Sequence, residues 1–269
     1  DGYPPMDLSG ADIRRSFSFQ SDRSYLKERI SESLGLLYAM HWPFRQYESA
    51  RGIRKSSLHD ALDKDGAVFG ETAGWERPNW FADNDQLREY EYSYGKQNWH
   101  DNMRAECEAV RHAVGMFDQS SFAKFLVAGP EALAVLELLS ANSIDVELGK
   151  GVYTQWLNER GGIEADLTVT RLSQDEFWVV TSAASQTRDW AWLRRACRGH
   201  SVKISDVTED WSVLGVMGPH SRGLLESVSH IDLPDQSCPF GSMTEIVIAG
   251  VSCNALRMSY VGELGWELY

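Results

Sequence analysis

The stretch Ile163-Glu-Ala-Asp-Leu-Thr-Val-Thr170 constrains the fold more than any other, because apolar and polar residues alternate through it without a break. Successive side chains of a strand point to opposite faces, so Ile163, Ala165, Leu167 and Val169 share one side and Glu164, Asp166, Thr168 and Thr170 the other. It is reached from the strand expected over 152–158 through Asn158-Glu-Arg-Gly-Gly162, a connection of hairpin length with glycine available for positive φ. A two-sided hairpin of this kind belongs to an antiparallel sheet with one covered face.

Upstream, Leu26, Ile30, Leu34 and Leu37 recur at helical spacing and predict an amphipathic helix over 22–40, ended by His41-Trp-Pro43. A short helix is expected over 56–63 and a strand at Ala67-Val-Phe69. Gly74-Trp-Glu-Arg-Pro-Asn-Trp-Phe81 reads as an aromatic loop leading into Asp83-Asn-Asp-Gln86, where a domain boundary is placed. A helix follows over 101–114, with Met103, Cys107, Val110 and Val114 on one stripe and Gly115 as its C-terminal cap. Strands are then expected over 122–127, 152–158, 163–172, 176–181, 202–207, 212–217, 243–249 and 251–260. Helices are expected over 130–140, 184–197 and 219–229. This mixture lacks a regular βαβ alternation, so the expected class is α+β with antiparallel sheets and packed helices.

The ten Trp, ten Tyr and ten Phe supply enough apolar bulk for a folded core in 269 residues. Against 39 acidic residues stand only 26 Lys and Arg, a net charge of −13 with no dense basic stripe, which argues against phosphate-driven nucleic-acid binding. Cys107, Cys197, Cys238 and Cys253 form no C-x-x-C pair and too sparse a set for a disulfide framework, pointing to a reducing compartment. Neither a membrane-spanning apolar run nor a signal peptide is seen. The start without Met and the end in Gly-Trp-Glu-Leu-Tyr269 suggest a piece of a longer protein.

Phosphate-loop, dinucleotide, zincin and nucleophile-elbow signatures are all missing, and the seven His never pair at helical ligand spacing. No metal is expected. Asp is depleted in strands, so Asp166 invites a reason. It is either a solvent-facing carboxylate on an outer sheet face or a functional one. Tyr153 on the partner strand is close enough to share its side. Glu263, between Gly262 and Gly265 in an expected strand region, is either a turn residue or a carboxylate held where a flat ligand docks.

Residues 151–169 and Arg257-Met-Ser-Tyr-Val-Gly-Glu-Leu-Gly-Trp-Glu267 resemble the two signature segments of the glycine-cleavage T-protein (aminomethyltransferase) superfamily, and Gly115-Met-Phe-Asp-Gln-Ser120 resembles its opening segment. Together with Asp12-Ile-Arg-Arg, Gly66-Ala-Val-Phe-Gly and Gly74-Trp-Glu-Arg-Pro78, the whole chain resembles the middle and later parts of the sarcosine and dimethylglycine dehydrogenases. That resemblance implies a tail of the FAD-dependent amine oxidase region over 1–84 and a folate-binding domain over 85–269, incomplete at its C-terminus. It implies oxidation of an N-methyl amine and capture of the one-carbon unit by tetrahydrofolate as 5,10-methylenetetrahydrofolate. FAD is then held upstream of this chain, and the segment alone is expected to be inactive. Asp166 takes the place of the catalytic carboxylate, Glu263 that of the pterin anchor, Tyr153 that of an aromatic residue lining the folate pocket, and Tyr260 flanks the pterin. Small molecules, folate and an N-methyl amine, are the implied partners, in the cytoplasm of a bacterium or the mitochondrial matrix of a eukaryote. A regulatory, catalytically silent branch of the same family is the alternative. The tRNA-modifying relative is opposed by the absence of K-G-C-Y and by the acidic charge.

Overall fold

The computed structural model describes residues 6, 8–39, 45–83 and 85–269. In chain order its helices and strands are α1 (Arg23–Leu36), α2 (His59–Lys64), β1 (Ala67–Thr72), β2 (Trp75–Phe81), α3 (His100–His112) and β3 (Gly115–Asp118). There follow β4 (Ala123–Ala128), α4 (Ala132–Leu139), β5 (Gly151–Leu157), β6 (Ile163–Arg171), β7 (Glu176–Thr181), α5 (Gln186–Ala196) and β8 (Lys203–Asp206). The chain continues through β9 (Leu214–Met217), α6 (Ser221–Ser229), β10 (Met243–Ile248), β11 (Val251–Leu256) and β12 (Gly265–Leu268). Two compact units result. One gathers residues up to 28 with 122–148 and 152–208, the other 29–121, 149–151 and 209–269.

The first unit is built on a five-stranded sheet ordered β5-β6-β7-β4-β8, with antiparallel registers such as Val169 opposite Val179 and Phe125 opposite Val179. The expected alternation of β6 decides which face is covered: Ala165, Leu167 and Val169 are buried with Phe125, Trp156, Phe177, Leu136 and Leu193. Ile163 shares their parity but lies at the hairpin end and is exposed. The connection is set by Asn158, whose Oδ1 accepts from the backbone N–H of Arg160 and Gly162, both at 3.0 Å, while Gly161 takes a φ of 77°.

The second unit holds the hairpin β1-β2 and an antiparallel sheet ordered β10-β11-β12-β9-β3. Its core joins Val216, Leu225, Leu233, Ile246, Ala255, Trp266 and Leu268. Gly265 opens β12 where a Cβ would meet Met217 Cγ at 2.8 Å, so close strand packing requires glycine there.

Several expectations change. Gly74–Phe81 is largely strand β2, because its aromatic residues pair with β1 from Ala67 to Thr72. The helix cap after α3 is Ala113, with φ −138°, and Gly115 begins β3 instead. The strand expected over 251–260 ends at Leu256, which leaves Tyr260 and Glu263 in the irregular connection to β12. His41-Trp-Pro43 lies outside the described residues. In α1 the helix forms, but its coverage is inverted. Leu26, Ile30, Leu34 and Leu37 are exposed, while the face carrying Tyr25 and Arg29 is buried. Periodicity tells which side chains share a face, not which face is covered. Here ion pairing decides: Arg29 donates to Glu71 Oε2 at 3.0 Å and Ser49 O at 2.8 Å, and Glu32 accepts from the Glu48 and Ser49 N–H groups, each at 2.8 Å.

Candidate functional site

In the first unit, β5 turns Thr154 and Trp156 inward, leaving Tyr153 and Gln155 on the outer face, and β6 presents Asp166 on that same outer face. Gln155 Nε2 donates to Asp166 Oδ1 at 3.0 Å. Tyr153 hydrogen-bonds to Asp166, and this bond, with burial and charge adding to it, raises the phenol above its ordinary value. The Tyr153 carbonyl is itself held by Asn142 Nδ2 at 2.8 Å, and Asn142 N–H donates to Thr154 Oγ1 at 3.0 Å, fixing β5 where the phenol leaves it. Thr168 and Thr170, on the same side of β6 as Asp166, are buried. The outer face is thus open at Asp166 and closed immediately beyond it. A carboxylate with two neutral donors and one open side can stabilise a nearby cation and accept a proton from it.

The second unit holds Tyr260 and Glu263. Tyr260 is exposed. Gly262, with φ 77° and open space where a Cβ would stand, turns the chain ahead of Glu263. Glu263 forms an ion pair with Arg111 of α3. Both line a cavity of about 350 Å³ walled by Met103, Cys107, Val110, Phe117 and Val261, with Glu106 also on it. The expected α3 stripe of Met103, Cys107 and Val110 therefore faces this cavity, and no residue of α3 is fully buried. Burial pushes the Glu106 carboxyl up, against a hydrogen bond from the Phe81 N–H that lowers it. The structure thus joins Tyr153 to Asp166 in one unit, and Glu263 and Tyr260 share a connection in the other.

Sequence reasoning passed over Glu267. It lies on β12 with its residue only 6% exposed, and it accepts a hydrogen bond from the Tyr269 hydroxyl at 2.6 Å. Burial raises its carboxyl, partly offset by that bond, and burial drives the Tyr269 phenol well above its ordinary range. No signal in the sequence marks it, because strand alternation sets Glu267 on the face opposite the core residues Trp266 and Leu268, and its burial comes from cover on that second face. A raised carboxyl stabilises the folded chain most when protonated, and that contribution is lost as pH climbs from the unfolded value through the raised one. Thermal unfolding of Glu267→Gln between pH 4 and pH 8 is therefore expected to show a smaller loss of Tm on the alkaline side than the parent; an identical pH profile counts against a perturbed Glu267.

Among the described residues no helix is long and apolar enough to cross a membrane, and no cluster of His, Cys, Asp and Glu is placed to hold a metal ion. The four cysteines form no disulfide.

These antiparallel sheets with packed helices have the glycine-cleavage T-protein fold. The crystal structure of glycine cleavage system aminomethyltransferase T from Bartonella henselae superposes with a TM-score of 0.65 at 24% identity, covering 81% of this chain and 53% of that one. Residues 58–269 match the GCVT N-terminal domain, and the chain belongs to that family. Residues 1–56 match the FAD dependent oxidoreductase central domain. The chain is 46% identical over 268 residues to 4-methylaminobutanoate oxidase (formaldehyde-forming) of Paenarthrobacter nicotinovorans, covering 100% of this chain and 32% of that protein. It is 32% identical over 308 residues to the mitochondrial sarcosine dehydrogenase of Homo sapiens, covering 100% of this chain and 34% of the relative. The chain thus spans about a third of the length of these curated relatives.

Proposed function

We propose that this chain is the folate-dependent one-carbon transfer part of an FAD-linked N-methyl amine oxidoreductase. The observation that carries the reading is the open carboxylate of Asp166, held by Gln155 and Tyr153 on the outer face of β6 in a chain of the GCVT family. Tetrahydrofolate, when bound, supplies a nucleophilic nitrogen for an N-methylene iminium, giving 5,10-methylenetetrahydrofolate, the demethylated amine and one proton. Asp166 supports the positive charge during that transfer and takes the proton; Tyr153 orients it and offers an aromatic surface. Glu263 is the carboxylate that would hold a planar N–H donor edge of the pterin, as a carboxylate holds arginine, with Tyr260 in the same connection. Arg111 of α3, paired with Glu263, fixes the position of that carboxylate. FAD has no glycine fingerprint to hold it within these 269 residues, so we assign it to the portion that the relatives carry outside the matched third.

Water competes for the same iminium and releases formaldehyde, which makes the test direct. An intact amine oxidoreductase carrying this chain, turning over its N-methyl amine, is expected to lose free formaldehyde and gain methylenetetrahydrofolate in equal amount as tetrahydrofolate is added. Formaldehyde yield that stays constant at saturating tetrahydrofolate overturns the proposal and leaves the regulatory alternative.

A further inference from the structure

The inverted helix α1 carries a surface that neither unit explains. Ile30 and Leu34 are 48% and 57% exposed, Leu26 is exposed one turn earlier in α1, and Leu37, 72% exposed, and Tyr38 continue the apolar strip into the turn that follows the helix. Four large aliphatic side chains on one stripe, left in water while the opposite face is spent on Arg29 and Glu32, make a contiguous apolar patch, and such patches mark association surfaces. The helix lies wholly inside residues 1–56, the part that matches the FAD dependent oxidoreductase central domain, and the relatives extend about threefold beyond the matched length. We propose that this face of α1 is the docking surface for the flavin-binding portion of an amine oxidoreductase, which seats on Leu26, Ile30, Leu34 and Leu37.

The occupant follows from the position of the patch. A helix assigned by sequence to a flavoenzyme's central domain, whose Arg29 pairs with Glu71 of the GCVT-matched hairpin, leaves Ile30 and Leu34 exposed towards the rest of that flavoenzyme. The outward strip is then the interior stripe of a larger assembly, as its spacing alone suggested.

Cysteine footprinting tests this. Leu34→Cys in the 269-residue chain is expected to react rapidly with a maleimide, with mass spectrometry separating it from the exposed Cys107. A cysteine at the aligned position of the intact Paenarthrobacter nicotinovorans oxidase is expected to react at least about a hundredfold more slowly, since a covered side chain excludes the reagent. Equal reactivity in both overturns the proposal. The double variant Ile30→Glu, Leu34→Glu is expected to leave the melting of the 269-residue chain unchanged, because exposed positions tolerate charge; a large drop in Tm shows the strip to be core and also overturns it. Sedimentation velocity completes the set: a chain that self-associates through this strip, and dissociates in the double variant, assigns the surface to a second copy and overturns it as well. None of these readouts depends on tetrahydrofolate, so a failed folate reading leaves them standing.

Discussion

In an intact amine oxidoreductase carrying this chain, the proposed role of Asp166 predicts that Asp166→Asn cuts the formation of methylenetetrahydrofolate by about a hundredfold, the usual worth of a positioned acid or base, while flavin reduction by the amine stays near the parental rate. The substitution keeps shape and the Gln155 contact, since an amide oxygen still accepts from Gln155 Nε2. What it removes is the negative charge and the proton acceptor. A second readout separates a chemical role from a merely structural one. The Tyr153 phenol is raised chiefly by its hydrogen bond to Asp166, so in Asp166→Asn its titration, followed by ultraviolet absorbance, is expected to move down towards the ordinary tyrosine value. Normal Tyr153 titration with lost coupling implicates the charge at Asp166 in transfer. Unchanged coupling, with Tyr153 shifted, shows that the pair forms but carries no part of the reaction.

That pair is legible in the sequence because strand periodicity is short and strict. Once Ile163–Thr170 was read as alternating, Asp166 had to leave the sheet opposite Leu167, and a five-residue connection brought Tyr153 to the same side. The antiparallel class was readable for the same reason. Burial of Thr168 and Thr170 was not readable, because their small hydroxyl side chains suit either a wet or a covered face. Tertiary choices were also hidden. Nothing local says that α1 turns Arg29 inward and its leucines outward; that depends on Glu71 and Ser49, which lie 42 and 20 residues away. Gly74–Phe81 reads as a loop because Gly and Pro punctuate it, whereas in the sheet Pro78 stands beside the register shift between Val68 and Phe69. The sequence puts Glu263 in a strand region, whereas it lies in the connection between β11 and β12, since Tyr260 and Val261, both strand formers, conceal the break after Leu256.

Glu76→Ala is expected to cost about 2–3 kcal/mol, a Tm loss of roughly 5–10 °C for a chain of this size, because it strands a guanidinium rather than deleting a surface contact. Glu76 has a side chain only 4% exposed and receives Arg51 Nε at 3.0 Å, Arg51 Nη2, and the Gly52 N–H at 2.6 Å. Arg51 also donates from Nη1 to the Tyr47 carbonyl at 3.0 Å and from Nη2 to the Phe69 carbonyl at 3.1 Å. Glu76 thereby closes a clamp between residues 47–52 and the β1-β2 hairpin. Burial pushes its carboxyl up, but the bonds from Arg51 and Gly52 outweigh burial and hold it below the usual value. A depressed carboxyl stabilises the fold above its unfolded value, and that contribution is lost as pH falls through the folded one, so the parent is expected to lose stability below about pH 4 in a way that Glu76→Ala does not. Glu76→Gln keeps an acceptor for Gly52 and for one Arg51 nitrogen while discarding the charge, and its loss is expected to be smaller than that of alanine. Equal losses in the two variants mean that charge dominates the clamp; a loss below about 0.5 kcal/mol in both places this pair among ordinary surface bridges and refutes the clamp. The clamp also has a functional corollary, since residues 47–52 fall in the part matching the flavoenzyme central domain and Glu76 in the part matching the GCVT domain. Weakening it is expected to expose Arg51 and the hairpin to proteolysis before either sheet melts, because a segment held by a few polar bonds opens at lower free energy than one sealed by a hydrophobic core.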